Sequence, residues 1–331
     1  MDLDIVFLGT GGSAPSPSRG VSATLIRRGG ERILLDCGEG TQRQLLRSTV
    51  GLVDLDMIVF THYHGDHMLG LPGLLKTYAL RNRERGLELY GPEGLRTLLR
   101  VLDPLVGRLP FPLHVRELEP GDQVPGDGYV LEASGVAHRA TALAWALVED
   151  ARPGRFDVDL ARSLGVPEGP LFGTLQRGEN VTLVDGSVIE AVAVVGEGRA
   201  GRRIVFSGDT RPCDSLRAAA TAADVLVHEA TFVSDEHERA RETGHSTAAE
   251  AAELAAEVGV DLLALTHLGA RAPVRVVKAE ARELHANTVV PRDFDTIEVP
   301  LPERGSPQLC RAGAARDGEH EPELASAPDQ V

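Results

Sequence analysis

The sequence predicts an α+β fold in which sheets are covered by helices. Two observations lead there. Short apolar runs bounded by Gly, Asp or Pro recur along the chain: DIVFLG, SATLIR, RILLDC, DMIVFTH, LELYG, YVLEASG, ALAWALVE, RIVFSGD, DVLVHEA, DLLALTH and FDTIEVP. They are rich in Val, Ile and Leu and too short for helices, so each reads as a buried or half-buried strand. Between some of them, small and apolar residues return every three or four positions, most clearly in TAAEAAELAAEVG and VRVVKAEARELHAN. That spacing predicts amphipathic helices. GTQRQLLRS, LGLPGLLKTYALRNR and PEGLRTLLRVL predict further ones. Strands dominate the first third and helices are interspersed throughout, which gives a layered, mixed architecture.

Two segments stand apart from this pattern. Residues 150–200 include GRFDVDLARSLGVPEGPLFGTLQRGENVTLVDG, where glycines and prolines crowd around one short helical stretch. They read as an inserted excursion and not as another core layer. Residues 301–331 are rich in Ala, Pro, Gly and charge and contain no aromatic residue, which predicts a disordered tail. The expected organisation is therefore one catalytic domain over residues 1–300, an arm inserted at about 150–200, and a tail.

A chain of 331 residues with a 42% apolar share can bury a sizeable core without disulfides. Cys37, Cys213 and Cys310 are widely spaced and odd in number, which suits a reducing compartment. The N-terminus, MDLDIVFLGTGG, has no basic region ahead of its short apolar run, so it does not read as a signal peptide. No stretch approaches the ~20 apolar residues of a membrane span. A cytoplasmic protein with no membrane partner is expected. The formal net charge of −15 weighs against a generic nucleic-acid binder held by a broad basic surface.

Residues 61–67 read THYHGDH, at the junction of the strand pattern DMIVF and the helix pattern LGLPGLL. His62 and His64 alternate along extended chain, so both side chains can point the same way. Asp66 and His67 open the helix and can face the same cavity. Imidazole and carboxylate donors fixed in this manner suit a divalent transition metal. The turn offers more donors than one tetrahedral ion with an open position needs, so two ions are inferred. Other donors stand at strand ends elsewhere: His138 closes YVLEASGVAH, Asp209 closes RIVFSGD and His267 closes DLLALTH.

The HxHxDH turn with later single His, Asp and His donors resembles the metallo-β-lactamase superfamily. FLGTGG, LLDCGEGTQRQL, SGDTRPC, HEATF and GHST narrow that resemblance to the tRNA 3′-processing ribonucleases within it. The resemblance covers about residues 3–300. It implies an αβ/βα sandwich with the metals at the sheet edges, an arm at GVPEGP that grips tRNA, and a homodimer in which one subunit's arm serves the other's site. It also implies a precursor tRNA as substrate and two Zn2+ per subunit, with Mn2+ or Fe2+ as alternatives. One ion would be held by His62, His64 and His138, the other by Asp66, His67 and His267, with Asp209 bridging.

Two close metals suit in-line displacement at phosphorus. Asp66 is the candidate for orienting or deprotonating the attacking water. His245 is the candidate general acid, with Glu229 holding it and raising its pKa. Arg19, Arg177 and Arg271 are candidate phosphate contacts. Two departures from the family pattern stand out. In GTGGSAPSPSRG, Pro15 and Arg19 match a PxKxRN loop, but Pro17 and Gly20 replace the lysine and asparagine, a change that bears on how a mature CCA end is treated. From Glu149 to Glu179 the arm carries six acids and four arginines, acidic for a phosphate-gripping element. A small-molecule hydrolase of the same fold, a phosphodiesterase or lactonase, is the alternative. A catalytically silent RNA-binding or scaffold protein is a third reading, which the complete donor set opposes.

Overall fold

The computed structural model describes residues 1–52 and 54–313. Strands β1 (Leu3–Gly9), β2 (Ala23–Arg28), β3 (Glu31–Leu35), β4 (Met57–Val59), β5 (Leu87–Gly91) and β6 (Leu113–Glu117) form most of a first sheet. A second contains β7 (Gln123–Gly126), β8 (Tyr129–Gly135) and β9 (Leu143–Glu149). The chain then leaves for the arm, where β10 (Val181–Thr182) pairs with β11 (Val188–Ile189). It re-enters the second sheet as β12 (Arg203–Phe206), β13 (Val225–Glu229), β14 (Leu262–Thr266) and β15 (Thr288–Val289). Finally β16 (Thr296–Glu298) and β17 (Gln308–Cys310) return to the first sheet beside β1. The helices are α1 (Thr41–Arg47), α2 (Gly65–Met68), α3 (Leu71–Leu80), α4 (Leu95–Val106), α5 (Val158–Ser163), α6 (Pro170–Gln176), α7 (Ala191–Val194), α8 (Asp214–Ala220), α9 (His237–Thr243), α10 (Ala248–Glu257) and α11 (Val274–Leu284).

The two sheets stack face to face between two helix layers. On β1, Ile5 and Phe7 point into the space between the sheets and meet Trp145, Ile204 and Val225 of the second sheet. The alternate residues Val6 and Leu8 face the other way, against Leu71, Leu74, Leu75 and Tyr78 of α3. Burial on both faces is why the strands read as continuous apolar runs instead of alternating ones. On the far side, Leu226 and Leu263 pack against the alanine-rich face of α10 and against Val277 of α11. Small alanines let α10 approach the sheet closely.

Every strand expected from the sequence is present, and the ends of β4, β8, β12, β13 and β14 position the chemistry. In the two sheets β3–β4–β5 and β12–β13–β14 run parallel. Their carboxyl ends open on the same edge, where ligands gather in layered α/β structures.

Two expectations need correction. The arm is more structured than one short helix: Ala161, Val166, Leu175, Val181 and Val194 form a small core of its own, with Phe156 tilted against Phe172 at 4.9 Å. Disorder beginning at residue 301 is also revised, because Gln308–Cys310 pairs with Thr296–Glu298 and Glu303 accepts from Arg152 and Arg199 at the arm's root. Residues 314–331 of the expected tail lie outside the described residues. Among the described residues no helix is long and apolar enough to cross a membrane.

Candidate metal centre

Seven donors from four strand ends converge on this edge. His62 follows β4, His64 caps α2, and Asp66 and His67 lie in its first turn. His138 follows β8, Asp209 follows β12 and His267 follows β14. The donor atoms fall into two sets. In one, His62 Nε2 lies 2.9 Å from His64 Nδ1 and 3.7 Å from Asp209 Oδ2, and His138 Nε2 lies 3.4 Å from His64 Nδ1. In the other, His67 Nε2 lies 3.3 Å from His267 Nε2, which lies 3.2 Å from Asp66 Oδ2 and 3.3 Å from Asp209 Oδ1. His67 Nε2 is also 3.4 Å from Asp209 Oδ2, so Asp209 reaches both sets.

These spacings fit divalent metal ions. A tetrahedron of donors about 2.05 Å from a zinc-sized ion has an edge of about 3.3 Å, and the observed separations scatter around that value. Asp209 Oδ1 is buried without a hydrogen-bond partner, which is costly for a carboxylate unless a cation satisfies it. The protein's own field favours positive charge here. Burial alone would raise the Asp209 carboxyl, yet His267 and His67 hold it well below its usual range. His62 is pushed down to about 2 by burial and then by the neighbouring His67, which keeps its ring neutral and its lone pair available.

Outer groups aim these rings. His67 Nδ1 donates to Asp36 Oδ2 at 2.7 Å. Asp36 also accepts from Thr61 N at 2.8 Å and from Thr61 Oγ1 at 2.9 Å, and the Thr61 oxygen lies 3.1 Å from His62 Nδ1. His138 Nδ1 donates to the Gly244 carbonyl at 2.8 Å. Fixing the outer nitrogen selects the tautomer that presents the inner one. Asp36 and His267 both sit at positive φ, 57° and 54°, a strained conformation for such residues. Gly12 passes so close that a Cβ there would lie 2.5 Å from His267 Nδ1.

His245 stands beside the second set. Its Nδ1 donates to Glu229 Oε1 at 2.8 Å, and its ring stacks on His267 at 5.6 Å. Burial would lower its pKa, but the bond and charge of Glu229 outweigh that and raise it. Ser246 is buried and donates to the Thr210 carbonyl at 2.6 Å, which anchors the loop. Ser13 N donates to Asp66 Oδ2 at 2.7 Å and fixes that carboxylate.

The three arginines expected at phosphate are placed differently. Arg19 turns inward, donating from one nitrogen to both Thr10 Oγ1 and the carbonyl of the distant Pro291. Arg271 pairs with Glu236 at 3.1 Å, and Arg177, at the end of α6 on the arm, pairs with Glu179 at 3.1 Å. Conversely, Asp36, Thr61 and Thr231 belong to the site without having been singled out. Their only sequence signal is position: Asp36 ends RILLD as Asp209 ends RIVFSGD.

Comparison with known proteins bears on this constellation. Residues 17–267 match the family model described as the metallo-β-lactamase superfamily. A ribonuclease Z of Gemmatimonas aurantiaca is 50% identical over 308 residues, covering 92% of this chain and 98% of the relative. The chain belongs to the ribonuclease Z family of the metallo-β-lactamase superfamily. The ribonuclease Z of Myxococcus xanthus is 48% identical over 303 residues, with 90% and 98% coverage. Among solved structures, human tRNase Z, short form, superposes with a TM-score of 0.66 at 29% identity, covering 90% of this chain and 99% of that one. The sandwich and the His/Asp cluster are thus those of a metal-using ribonuclease Z family member.

Proposed function

We propose that the chain is an endoribonuclease that removes 3′ trailers from tRNA precursors, working with two zinc ions. The observation that carries this reading is the buried Glu229 holding His245 at 2.8 Å beside the double donor cluster. A site that only hydrolysed activated esters would need no such proton donor. When bound, two divalent cations lower the pKa of water and neutralise charge on the phosphodiester. Imidazole-rich, thiolate-free donors favour zinc.

The side chains then divide the work. Asp66, held by Ser13 N–H, accepts the proton of the attacking water. His245, its Nδ1–H held by Glu229, presents Nε2 to the leaving ribose 3′ oxygen and delivers the proton that oxygen needs. The P–O3′ bond breaks, leaving a 3′ hydroxyl on the tRNA and a 5′ phosphate on the trailer. We place the enzyme in the cytoplasm as a homodimer.

The arm favours binding by shape over charge. Arg162 is taken by Glu168 and Asp159, Arg177 by Glu179, and Arg152 and Arg199 by Glu303. This neutralisation is also what supports the second reading, a small-molecule phosphodiesterase. The test gives purified protein a 3′-extended tRNA precursor and a chromogenic phosphodiester, each with and without chelator. Chelator-sensitive trimming of the precursor is expected. Hydrolysis of the small ester alone would favour the second reading.

A further inference from the structure

We propose that Thr231 is a positioning residue that ties the proton donor to the second cation site, fixing the tautomer of His267 from the carboxylate that also holds His245. The inference rests on the ribonuclease reading for the role of His245 and on geometry for the rest. Thr231 is buried, and its hydroxyl stands among four polar groups. Oγ1 lies 2.6 Å from Glu229 Oε2, 2.9 Å from His267 Nδ1, 3.3 Å from His245 Nδ1 and 3.3 Å from the His267 carbonyl oxygen.

A hydroxyl has one proton to give. The Glu229 carboxylate and the His267 carbonyl both only accept, and the carboxylate is charged and nearer, at 2.6 Å against 3.3 Å, so that proton goes to Glu229. The Thr231 oxygen then accepts from His267, which places the proton of that neutral ring on Nδ1. Nε2 of His267 keeps its lone pair, and this is the atom 3.2 Å from Asp66 and 3.3 Å from Asp209. The other oxygen of Glu229 takes His245 Nδ1–H. One carboxylate therefore orients a candidate metal ligand through Thr231 and the proton donor directly.

The first half of the molecule contains the same unit. There Thr61 donates to Asp36 and faces His62 Nδ1 at 3.1 Å, while Asp36 takes His67 Nδ1–H at 2.7 Å. That unit aims two candidate ligands. The Glu229–Thr231 unit aims one ligand and one acid, so a change at Thr231 reaches both. Its recurrence marks it as a built arrangement and not a chance turn contact.

The test compares Thr231→Val, which keeps the volume, with Thr231→Ser, which keeps the hydroxyl. Zn2+ affinity of the metal-free full-length chain is measured by competition with a chromogenic chelator. kcat and KM are measured on a 3′-extended tRNA precursor, and 15N NMR reads the His267 tautomer in the native chain. In the valine variant, one of two zinc equivalents should bind about 10–100-fold more weakly. Its kcat should fall by at least about tenfold with KM within about threefold, and the serine variant should stay near native in both.

Three results would overturn the proposal: native zinc affinity in the valine variant, an equal loss in the serine variant, or an Nε2–H tautomer at His267. If the valine variant does not fold, the serine variant and the tautomer decide. A native chain that binds zinc but trims no precursor would sink the ribonuclease reading while leaving the zinc and tautomer results to judge Thr231.

Discussion

Replacing Glu229 by Gln removes the charge behind the candidate proton donor. Glu229 is 1% exposed and accepts four hydrogen bonds. Oε1 takes His245 Nδ1 at 2.8 Å and Thr210 N at 2.9 Å; Oε2 takes Thr231 N at 3.1 Å and Thr231 Oγ1 at 2.6 Å. Glutamine keeps the shape and the acceptor toward His245. Its amide nitrogen then faces the Thr231 N–H, donor against donor. One such unmade buried bond costs about 1–3 kcal/mol of stability. The catalytic effect is distinct. Burial pulls the His245 pKa down; the bond to an ionised Glu229 and then its charge, with Asp209 and Asp66 behind them, reverse that. Without the Glu229 charge the protonated ring is scarcer at neutral pH, and kcat on a ribose leaving group should fall by about 10²–10⁴.

The assay uses two leaving groups. A ribose 3′ oxygen needs a proton to depart, whereas a nitrophenolate does not. Glu229→Gln and His245→Ala should each lose that factor on a tRNA precursor. On a nitrophenyl phosphodiester His245→Ala should lose less than about tenfold, whereas Glu229→Gln, whose amide nitrogen also faces the Thr231 hydroxyl behind His267, should lose more through a weakened second cation site. The double variant should be no worse on the precursor than Glu229→Gln alone, because the pair acts as a unit. Equal losses of His245→Ala on both substrates would refute the reasoning, as would loss of its bound metal.

Further predictions follow from the surroundings of the site. Asp36→Asn removes the charge that holds His67 Nδ1–H and sets an amide nitrogen against a donor on His67 or Thr61, so it should weaken metal binding by about 10–100-fold in a chelator competition. Gly12→Ala places a methyl 2.5 Å from His267 Nδ1 and 2.8 Å from its carbonyl, so the second metal equivalent should be lost in elemental analysis. Chelation should lower the midpoint of thermal unfolding, since a ligand at a hundredfold excess over Kd contributes about 2.7 kcal/mol. Glu149 lies buried between Arg28 and Arg202 at 2.9 and 2.7 Å. Burial alone would raise its pKa, but the two arginines hold it below the ordinary 4.5. Its contribution to stability is therefore complete above pH 4.5 and lost as pH falls through the depressed folded value. Glu149→Gln should flatten that acid limb and cost about 3–5 kcal/mol at neutral pH, because it leaves two buried guanidiniums unpaired; denaturant titrations across pH check both.

The candidate metal donors were legible because they cluster. His62, His64, Asp66 and His67 occupy one turn, and His138, Asp209 and His267 each end a buried run, where hydrophobic periodicity stops and a polar side chain is conspicuous. Strands buried on both faces were legible for the same reason. What carries only a short or interrupted signal was not. The β6 segment LHVRE alternates polar with apolar residues at a sheet edge but over only five positions, and β7 contains Pro125, which only an edge position tolerates. Asp36 and Thr61 are 25 residues apart, and Thr231 reaches His267 across 36. Sheet register, not local spacing, sets those pairings. The pairing of Arg152 and Arg199 by the distant Glu303 was likewise invisible until the chain was folded.

The two threonine–carboxylate units also locate where substrate choice resides. The Asp36–Thr61 unit touches only candidate metal ligands, so it serves any reaction that needs the cations. The Glu229–Thr231 unit adds His245, which matters only when the departing oxygen is basic. A chain stripped of the second unit's acid should still hydrolyse esters with good leaving groups while failing on RNA. The step from a general phosphodiesterase toward a ribonuclease therefore lies at the ends of β13 and β14 and in the loop before α10, not in the THYHGDH turn that first identifies the site.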